Sequence, residues 1–247
     1  MDQSQILELL KHEQKLPFFE TTYMGKKLRF AATNQKCFYF AESIANRESD
    51  TNEWIAKLTP EDIFFDIGAN NSVFSIVASA IYGARSFAFE PHFASYHISQ
   101  QNVYANNLES LMQLFPLAIS EKTGLDILFL SSITAGKSLN NFGEARPSTD
   151  ILWNATKPQP AVSMSIDDIC KHLDVIPTFI KVDVDGIEAK IITGAAETLK
   201  NPILKEIMIE FDKTRPVDVK AAKKIMDSGF ILSFVGPSGY FFRRQSC

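Results

Sequence analysis

From Asp62 onward the chain alternates short, continuously apolar runs with longer segments of helical spacing. "DIFFDIG", "SFAFEP", "TFIKVDVDG" and "KEIMIEF" lack the polar alternation of a half-wet strand, so they predict strands buried on both faces. "MQLFPLAIS" holds a further strand. "VFSIVASAIY", "FASYHISQQNVYAN", "EAKIITGAAETLK" and "VKAAKKIMDSG" predict the intervening helices, the last stopping at Gly229. "FILSFVG" and "YFFRR" flank "PSG" and predict a closing antiparallel hairpin. Strands alternating with helices imply an α/β fold, a doubly wound, mostly parallel sheet with one antiparallel edge.

Residues 1–55 read differently, as an extension packed on a main domain spanning 56–247. "SQILELLKHEQ" places Ile6, Leu9 and Leu10 on one helical face. "FFETTYMGKKLRFAA" predicts a hairpin about Met24-Gly25. "ESIANRESDTNEW" is a polar linker into a helix around Trp54 to Leu58. Between residues 131 and 161 the periodicity stops in a stretch rich in Ser, Asn, Gly and Pro. A loop that long inside a domain is a lid-like insertion or is disordered. Strands in "GLDILFLS" and "AVSMSI" frame it.

Composition narrows the picture a little. In 247 residues, 45% hydrophobic and 22% charged is ordinary for a soluble globular protein. A net charge of -4 without a Lys/Arg block argues against nucleic acid as partner. Cys37, Cys170 and Cys247 are widely spaced, which argues against a zinc site and fits a reducing cytoplasm. The polar N-terminus is no secretory signal, and no apolar run of about 18 residues suits a membrane span.

Acidic residues recur where strands end. Asp66, Glu90, Asp183, Asp185 and Glu210 each close a predicted strand. Ligands of open parallel sheets bind beyond those ends, so the five acids predict a pocket rim. Any one of them could instead cap a following helix. Gly68 lets the chain turn sharply after Asp66, and the next helix offers free N–H groups. Glu90, one β-α-β unit further on, suits the two hydroxyls of a ribose. A nicotinamide dinucleotide would require G-x-G-x-x-G, and Gly68 is followed by Asn70 and Ser72 instead. An acidic rim also opposes a pyrophosphate. It suits S-adenosylmethionine, which carries an ammonium and a sulfonium and no phosphate.

"DIGANNSVFS", "FAFEP", "MSIDDIC", "IKVDVDGIEAKIITGA" and "EIMIEF", in this order, resemble the FkbM-type methyltransferases over about residues 54–211. The resemblance implies a class I S-adenosylmethionine-dependent fold with a seven-stranded sheet. It also implies O-methylation of a hydroxyl on a sugar, glycan or secondary metabolite. Carried onto this chain, Asp66, Gly68, Ala69, Asn70 and Ser72 would hold the methionine end of the cofactor. Glu90 and Pro91 would hold the ribose, and Ala118 would lie near the adenine. Lys181, Asp183, Gly186 and Glu188 match the second signature, on the reacting side, with Asp185 beside them. Glu188, together with Glu210 and Trp153, is expected to approach the substrate, the latter two from their places in the chain rather than from the resemblance. Two positions depart from the family pattern: Ser72 replaces a usual Gly, and Asp185 a frequent Glu. Ser72 either caps the helix or crowds the cofactor. The second outcome would favour a non-catalytic binding protein.

Methyl transfer to oxygen needs alignment and removal of a proton. Alternation along "FIKVDVD" puts Lys181, Asp183 and Asp185 on one face. Asp183 is the candidate base; a salt bridge to Lys181 or a loop cap explains it equally. Lys181 would pair with Asp66 if their strands adjoin. No metal is expected, although Asp183, Asp185 and Glu210 are oxygen ligands of the kind a divalent ion takes. His92 and His97, five apart, are read as surface or capping residues, and Phe74 and Phe142 as core or loop anchors, with contact to substrate as the alternative. Trp153 is the expected lid anchor, or simple surface packing.

Overall fold

The computed structural model describes residues 2–5, 16–44, 48–147 and 154–245. The N-terminal helix expected over Ile6–Leu10 and the lid anchor Trp153 lie outside the described residues. β1 (Phe18–Tyr23) and β2 (Lys26–Ala31) form an antiparallel hairpin. Met24 and Gly25 both have positive φ, 47° and 80°, as a two-residue hairpin turn of this hand requires. α1 (Gln35–Glu42) follows, with the Asn34 side chain accepting from the Lys36 and Cys37 amides.

The stretch read as a polar linker is in fact largely helical: α2 runs Ser49–Ile55 and ends where a helix was expected to begin. Ser49 and Glu53 are exposed, but two of its polar residues are not solvent-facing. Thr51 and Asn52 are buried, and Asn52 donates to the Ile44 carbonyl at 2.9 Å. Trp54, 2% exposed, packs its ring on Phe64, Phe179 and Phe241.

The remaining elements build the sheet and its cover. The strands are β3 (Ile63–Ile67), β4 (Arg85–Phe89), β5 (Met112–Phe115), β6 (Ala118–Ile119), β7 (Gly124–Leu130), β8 (Asn141–Phe142), β9 (Arg146–Pro147), β10 (Asn154–Ala155), β11 (Lys157–Met164), β12 (Phe179–Val182), β13 (Glu206–Ile209), β14 (Phe230–Gly236) and β15 (Gly239–Arg244). The helices are α3 (Val73–Tyr82), α4 (Phe93–Ala105), α5 (Ile166–Leu173), α6 (Glu188–Thr193) and α7 (Pro216–Asp227). The main sheet has the order β14-β15-β13-β12-β3-β4-β5. Its pairings are parallel except those of β15, which is antiparallel to β13 and β14.

β3 is covered on both faces, which explains its continuous apolar run. Phe65 and Ile67 join one apolar cluster with Ile169, Ile191 and Ile225 from α5, α6 and α7. Phe64 joins the other, with Ile76 and Val77 of α3, Trp54, and Leu28 and Phe30 of the hairpin. The N-terminal segment therefore shares the core of the main sheet. Among the described residues, no helix is long and apolar enough to cross a membrane.

"MQLFPLAIS" holds the expected strand, β5; Pro116 separates it from β6, which belongs to a second sheet of order β6-β11-β7-β8. Two expectations are corrected. The insertion is not structureless to residue 161, because β11 starts at Lys157. Pro158 and Pro160 are tolerated there because that half of β11 pairs only with β7, while β6 joins at Ser163. The long helix after "VDVDG" is only α6; it ends at Gly194, and a single 3-10 turn, Thr198–Lys200, follows.

Trp54→Ala should cost about 3–5 kcal/mol, the usual range for emptying a buried aromatic site. Urea denaturation monitored by circular dichroism measures it. A loss below about 1 kcal/mol, the level of ordinary surface changes, would show that α2 is not part of the core.

Candidate functional site

The chain order reverses at β3: β4 and β5 lie to one side, β12 and β13 to the other. A crevice opens at the carboxyl ends of strands at such a point. Here it is a cavity of about 520 Å³.

Gly68 makes the first turn possible. Its φ is +79°, and a Cβ at this position would run into the carbonyl oxygen of Asp183. The absent side chain lets the ends of β3 and β12 touch, where Asp183 N donates to Ile67 O at 3.0 Å. Gly68 N and Ala69 N both donate to Phe89 O, at 3.0 and 3.1 Å. Asn70 follows at φ 51°, a conformation Asn tolerates.

Glu90 joins this turn to the next. One carboxylate oxygen accepts from Asn70 N at 2.7 Å and the other from His92 N at 2.8 Å. Burial pushes its carboxyl up to about 7, against the pull of those two N–H groups. Its neighbour His92 is an N-cap, accepting from Ser95 N, and His97 is exposed, as expected of both.

Lys181 stands at the floor, fully buried, with its ammonium 2.6 Å from Asp183 and 3.8 Å from Asp66. The register pairing Lys181 with Asp66 brings the two strands' charges together, as expected if β3 and β12 adjoin. The Phe74 ring lies 5.0 Å from the ammonium. Burial works against the lysine charge, but Asp183 and Asp66 outweigh it and hold the group above the ordinary lysine range. Asp66 also accepts from Ser75 Oγ at 2.6 Å.

The cavity wall includes Gly68, Ala69, Asn70, Glu90, Pro91 and Ala118 from the expected cofactor set. It also includes Lys181, Asp183, Asp185 and Glu210 from the expected reacting side. Asp66, Ser72 and Glu188 are not part of that wall, and each has a different placement. Asp66, 1% exposed, lies a layer below, behind Lys181. Glu188 accepts from Gly186 N at 2.9 Å and faces Arg215 at 3.4 Å, so it braces the turn after β12 from behind. Burial, chiefly, pushes its carboxyl up to about 7.

Ser72 occupies the N-cap position of α3 but makes no capping bond. Its φ of 57° turns the hydroxyl away from the helix and onto Ser99 Oγ at 2.5 Å; Ser99 in turn donates to Asn70 O at 2.8 Å. It neither caps the helix nor reaches the cavity.

The shared face expected for Lys181, Asp183 and Asp185 is also corrected: β12 ends at Val182, so strand alternation does not extend to Asp185. Asp185 instead accepts from Asn140 N at 2.8 Å and so holds the insertion to the site. Glu210 lies at the end of β13; partial burial, then the Asp183 carboxylate, raise its carboxyl above the usual range. Among the described residues, no three His, Cys, Asp or Glu side chains are grouped to hold a metal ion.

Sequence reasoning missed part of the wall. Phe40 and Ile44 come from the N-terminal segment, and Pro237 and Ser238 from the β14–β15 turn. Ser238 is tied to Asp50 through its amide at 2.9 Å and its hydroxyl at 2.5 Å. "PSG" signals a turn but carries no sign of what the turn faces. Leu139 and Asn140 of the insertion close another side, with Leu139 at φ 67°. Phe142, 7% exposed, and Phe74 also line the cavity, in line with the alternative weighed for them rather than with core packing alone.

The wall is rich in acceptors. Besides the carboxylates, Asn70 Oδ1 is buried with no hydrogen-bond partner. Such a surface suits a ligand bearing hydroxyls and positive charge, and offers no cluster of basic groups for a pyrophosphate.

The profile of the family described as Methyltransferase FkbM domain matches residues 66–242. No curated protein shows a significant match to the chain. Among solved structures, a candidate SAM-dependent methyltransferase from Streptococcus mutans superposes with a TM-score of 0.51 at 14% identity, over 93% of this chain and 56% of that one. Methyltransferase FkbM from Methylobacillus flagellatus KT superposes with a TM-score of 0.49 at 15% identity, over 85% of this chain. This chain covers 55% of that protein's length.

Lys181→Met should destabilise the fold by about 3–5 kcal/mol, because it strands Asp66 in the interior. The deficit should shrink as pH falls, since a protonated Asp66 needs no cation. Denaturation at several pH values checks both; a pH-independent deficit would mean the lysine acts only through packing.

Proposed function

Because this chain belongs to the FkbM methyltransferase family, we propose that it transfers the methyl group of S-adenosylmethionine to a hydroxyl of a sugar, glycan or secondary metabolite. The observation that carries the cofactor assignment is Glu90: a buried carboxylate at the cavity wall, beside a turn with backbone N–H groups and no phosphate cradle. When bound, S-adenosylmethionine supplies an electrophilic methyl group on a positively charged sulfur.

The chain's own residues do the rest. Glu90 would accept from the ribose hydroxyls, and Asn70 Oδ1, buried without a protein partner, would take a further donor. Phe142, Ala118 and Leu128 form an apolar part of the wall that would suit the adenine. Lys181 fixes the Asp183 carboxylate at 2.6 Å and stabilises its charge, which weakens it as a base. Glu210, raised by partial burial and by Asp183, holds a proton more readily. With the cofactor bound, ionised Glu210 beside Asp183 would take the acceptor's proton as the acceptor oxygen bonds to the methyl and the methyl–sulfur bond breaks, releasing S-adenosylhomocysteine. A cytoplasmic location fits the free Cys37 and Cys170 thiols.

Binding should be pH-dependent. Hydroxyls donating to Glu90 favour its ionised form, so the bound state holds this proton less tightly than the free state. Affinity should then fall as pH drops below about 7 and level off above it. Calorimetry with S-adenosylmethionine tests this, with Glu90→Gln expected to weaken binding about tenfold or more and to flatten the profile. No binding by the native chain would defeat the assignment.

The alternative of a non-catalytic S-adenosylmethionine-binding protein was motivated by Ser72. That side chain turns from the cavity, so Ser72→Gly should leave affinity unchanged in the same titration. A clear gain would revive the alternative.

A further inference from the structure

A second cavity, of about 420 Å³, opens on the far side of the turn that carries Asp183 and Asp185, between α6 and α7. Ile192 and Ala221, both buried, line its apolar part. Lys190, Lys220 and Lys224 also line it. Lys220 and Lys224 are four apart on α7 and so share a face.

These lysines are available. Among the described residues no carboxylate pairs with Lys220 or Lys224; Lys224 reaches only the Thr193 carbonyl, at 3.4 Å. Glu144 also lines the cavity and faces Lys190 at 3.7 Å, but its carboxylate is 68% exposed, such surface pairs hold weakly, and it is a further acceptor for a ligand hydroxyl. Arg215, also in the wall, is committed to Gly186 O at 2.7 Å, Glu188 at 3.4 Å and Asp218 at 3.5 Å.

Asn141 adds a different requirement. It is 2% exposed and lines the same cavity. Its Nδ2 donates to Glu144 O at 2.9 Å, which sets the amide's orientation and leaves Oδ1 buried without a partner. A bare anion placed against that oxygen would be repelled. A ligand complementary to the whole wall brings an anionic group for the lysines and a hydroxyl for Asn141.

We propose that this cavity binds a phosphorylated polyol, its phosphate held by Lys190, Lys220 and Lys224 and one hydroxyl donating to Asn141 Oδ1. The site is separate from the first cavity but shares a wall with it. Ile187 lines both, and Asn141 lies between Asn140 and Phe142, which line the first. The proposal does not depend on the methyl-transfer reading.

Glucose 6-phosphate is the probe, titrated calorimetrically at low ionic strength without S-adenosylmethionine. Inorganic phosphate, glucose and hexyl phosphate are the controls. Saturable binding is expected for glucose 6-phosphate, with inorganic phosphate and hexyl phosphate about tenfold weaker or more, because neither fills the hydroxyl position as well as the phosphate position. Lys220→Gln with Lys224→Gln should weaken the probe about tenfold or more and leave S-adenosylmethionine binding unchanged, since neither lysine lines the first cavity. Both lysines project from a helix surface, and the alkyl phosphate tests Asn141 without touching that buried side chain. No saturable binding, or equal affinity in the double variant, overturns the site. Equal affinity for hexyl phosphate overturns the polyol assignment.

Discussion

The buried ammonium of Lys181 is the charge on which the architecture of the main cavity turns. A lysine with no solvent contact is costly unless carboxylates offset the lost hydration, and Asp66 and Asp183 do so from adjacent strand ends. That arrangement depends on β3 and β12 being neighbours in parallel register. It is a poor choice if stability alone matters, because well-packed apolar residues often serve as well in such positions. Its effect at the cavity is positional: Asp183 is held at the wall, while Asp66 supplies the second negative charge from below. The register, the ion triad and the placement of Asp183 stand or fall together.

A second constraint comes from backbone packing. Gly68 lets the β3 turn press against the Asp183 carbonyl, and Glu90 accepts one N–H from that turn and one from the turn after β4. The two loops are thereby fixed to one carboxylate. Two hydrogen bonds do not fully offset its burial, which is why its carboxyl rises to about 7. A ligand that donates further hydrogen bonds would complete the set. The strained backbone at Asn70 and Ser72 belongs to the same turn, and Ser99 secures it from behind by bonding both the Ser72 hydroxyl and the Asn70 carbonyl.

The parallel core was legible because strands buried on both faces read as continuous apolar runs. The acids at their ends were legible because a sheet buried on both faces tolerates charge only where it stops. What those acids do was less so. Asp66 looks like Glu90 in sequence, yet one faces a lysine behind the wall and the other faces the cavity. The difference depends on which face of β3 receives α3 and on Ser75 standing opposite, a tertiary fact. Ser72 misled for a related reason: a serine before a helix predicts a cap, but its positive φ turns the hydroxyl toward Ser99. α2 was hidden because two of its polar side chains, Thr51 and Asn52, are buried, Asn52 against the Ile44 carbonyl. Pro158 and Pro160 masked β11 because the unpaired side of that strand depends on where β6 ends.

The cavity is assembled from two kinds of material. One half comes from strand ends and the turns after them, where main-chain geometry leaves little freedom: Gly68 has no room for a side chain, and Glu90 is held by two amides. The other half comes from Phe40 and Ile44, from residues 137–140, and from Pro237 and Ser238, three segments outside the run of strand–turn–helix units that holds the parallel strands. These are anchored by a few side-chain hydrogen bonds, among them Asn140 to Asp185 and Ser238 to Asp50. Such segments can change sequence without disturbing the sheet. Family membership therefore informs the first half, where the motifs lie, and leaves the second to be read from this chain's own side chains. A molecule that fits must match an apolar patch from the N-terminal segment and carboxylates from the sheet edge at once, and that combination, rather than the fold, sets what the cavity can hold.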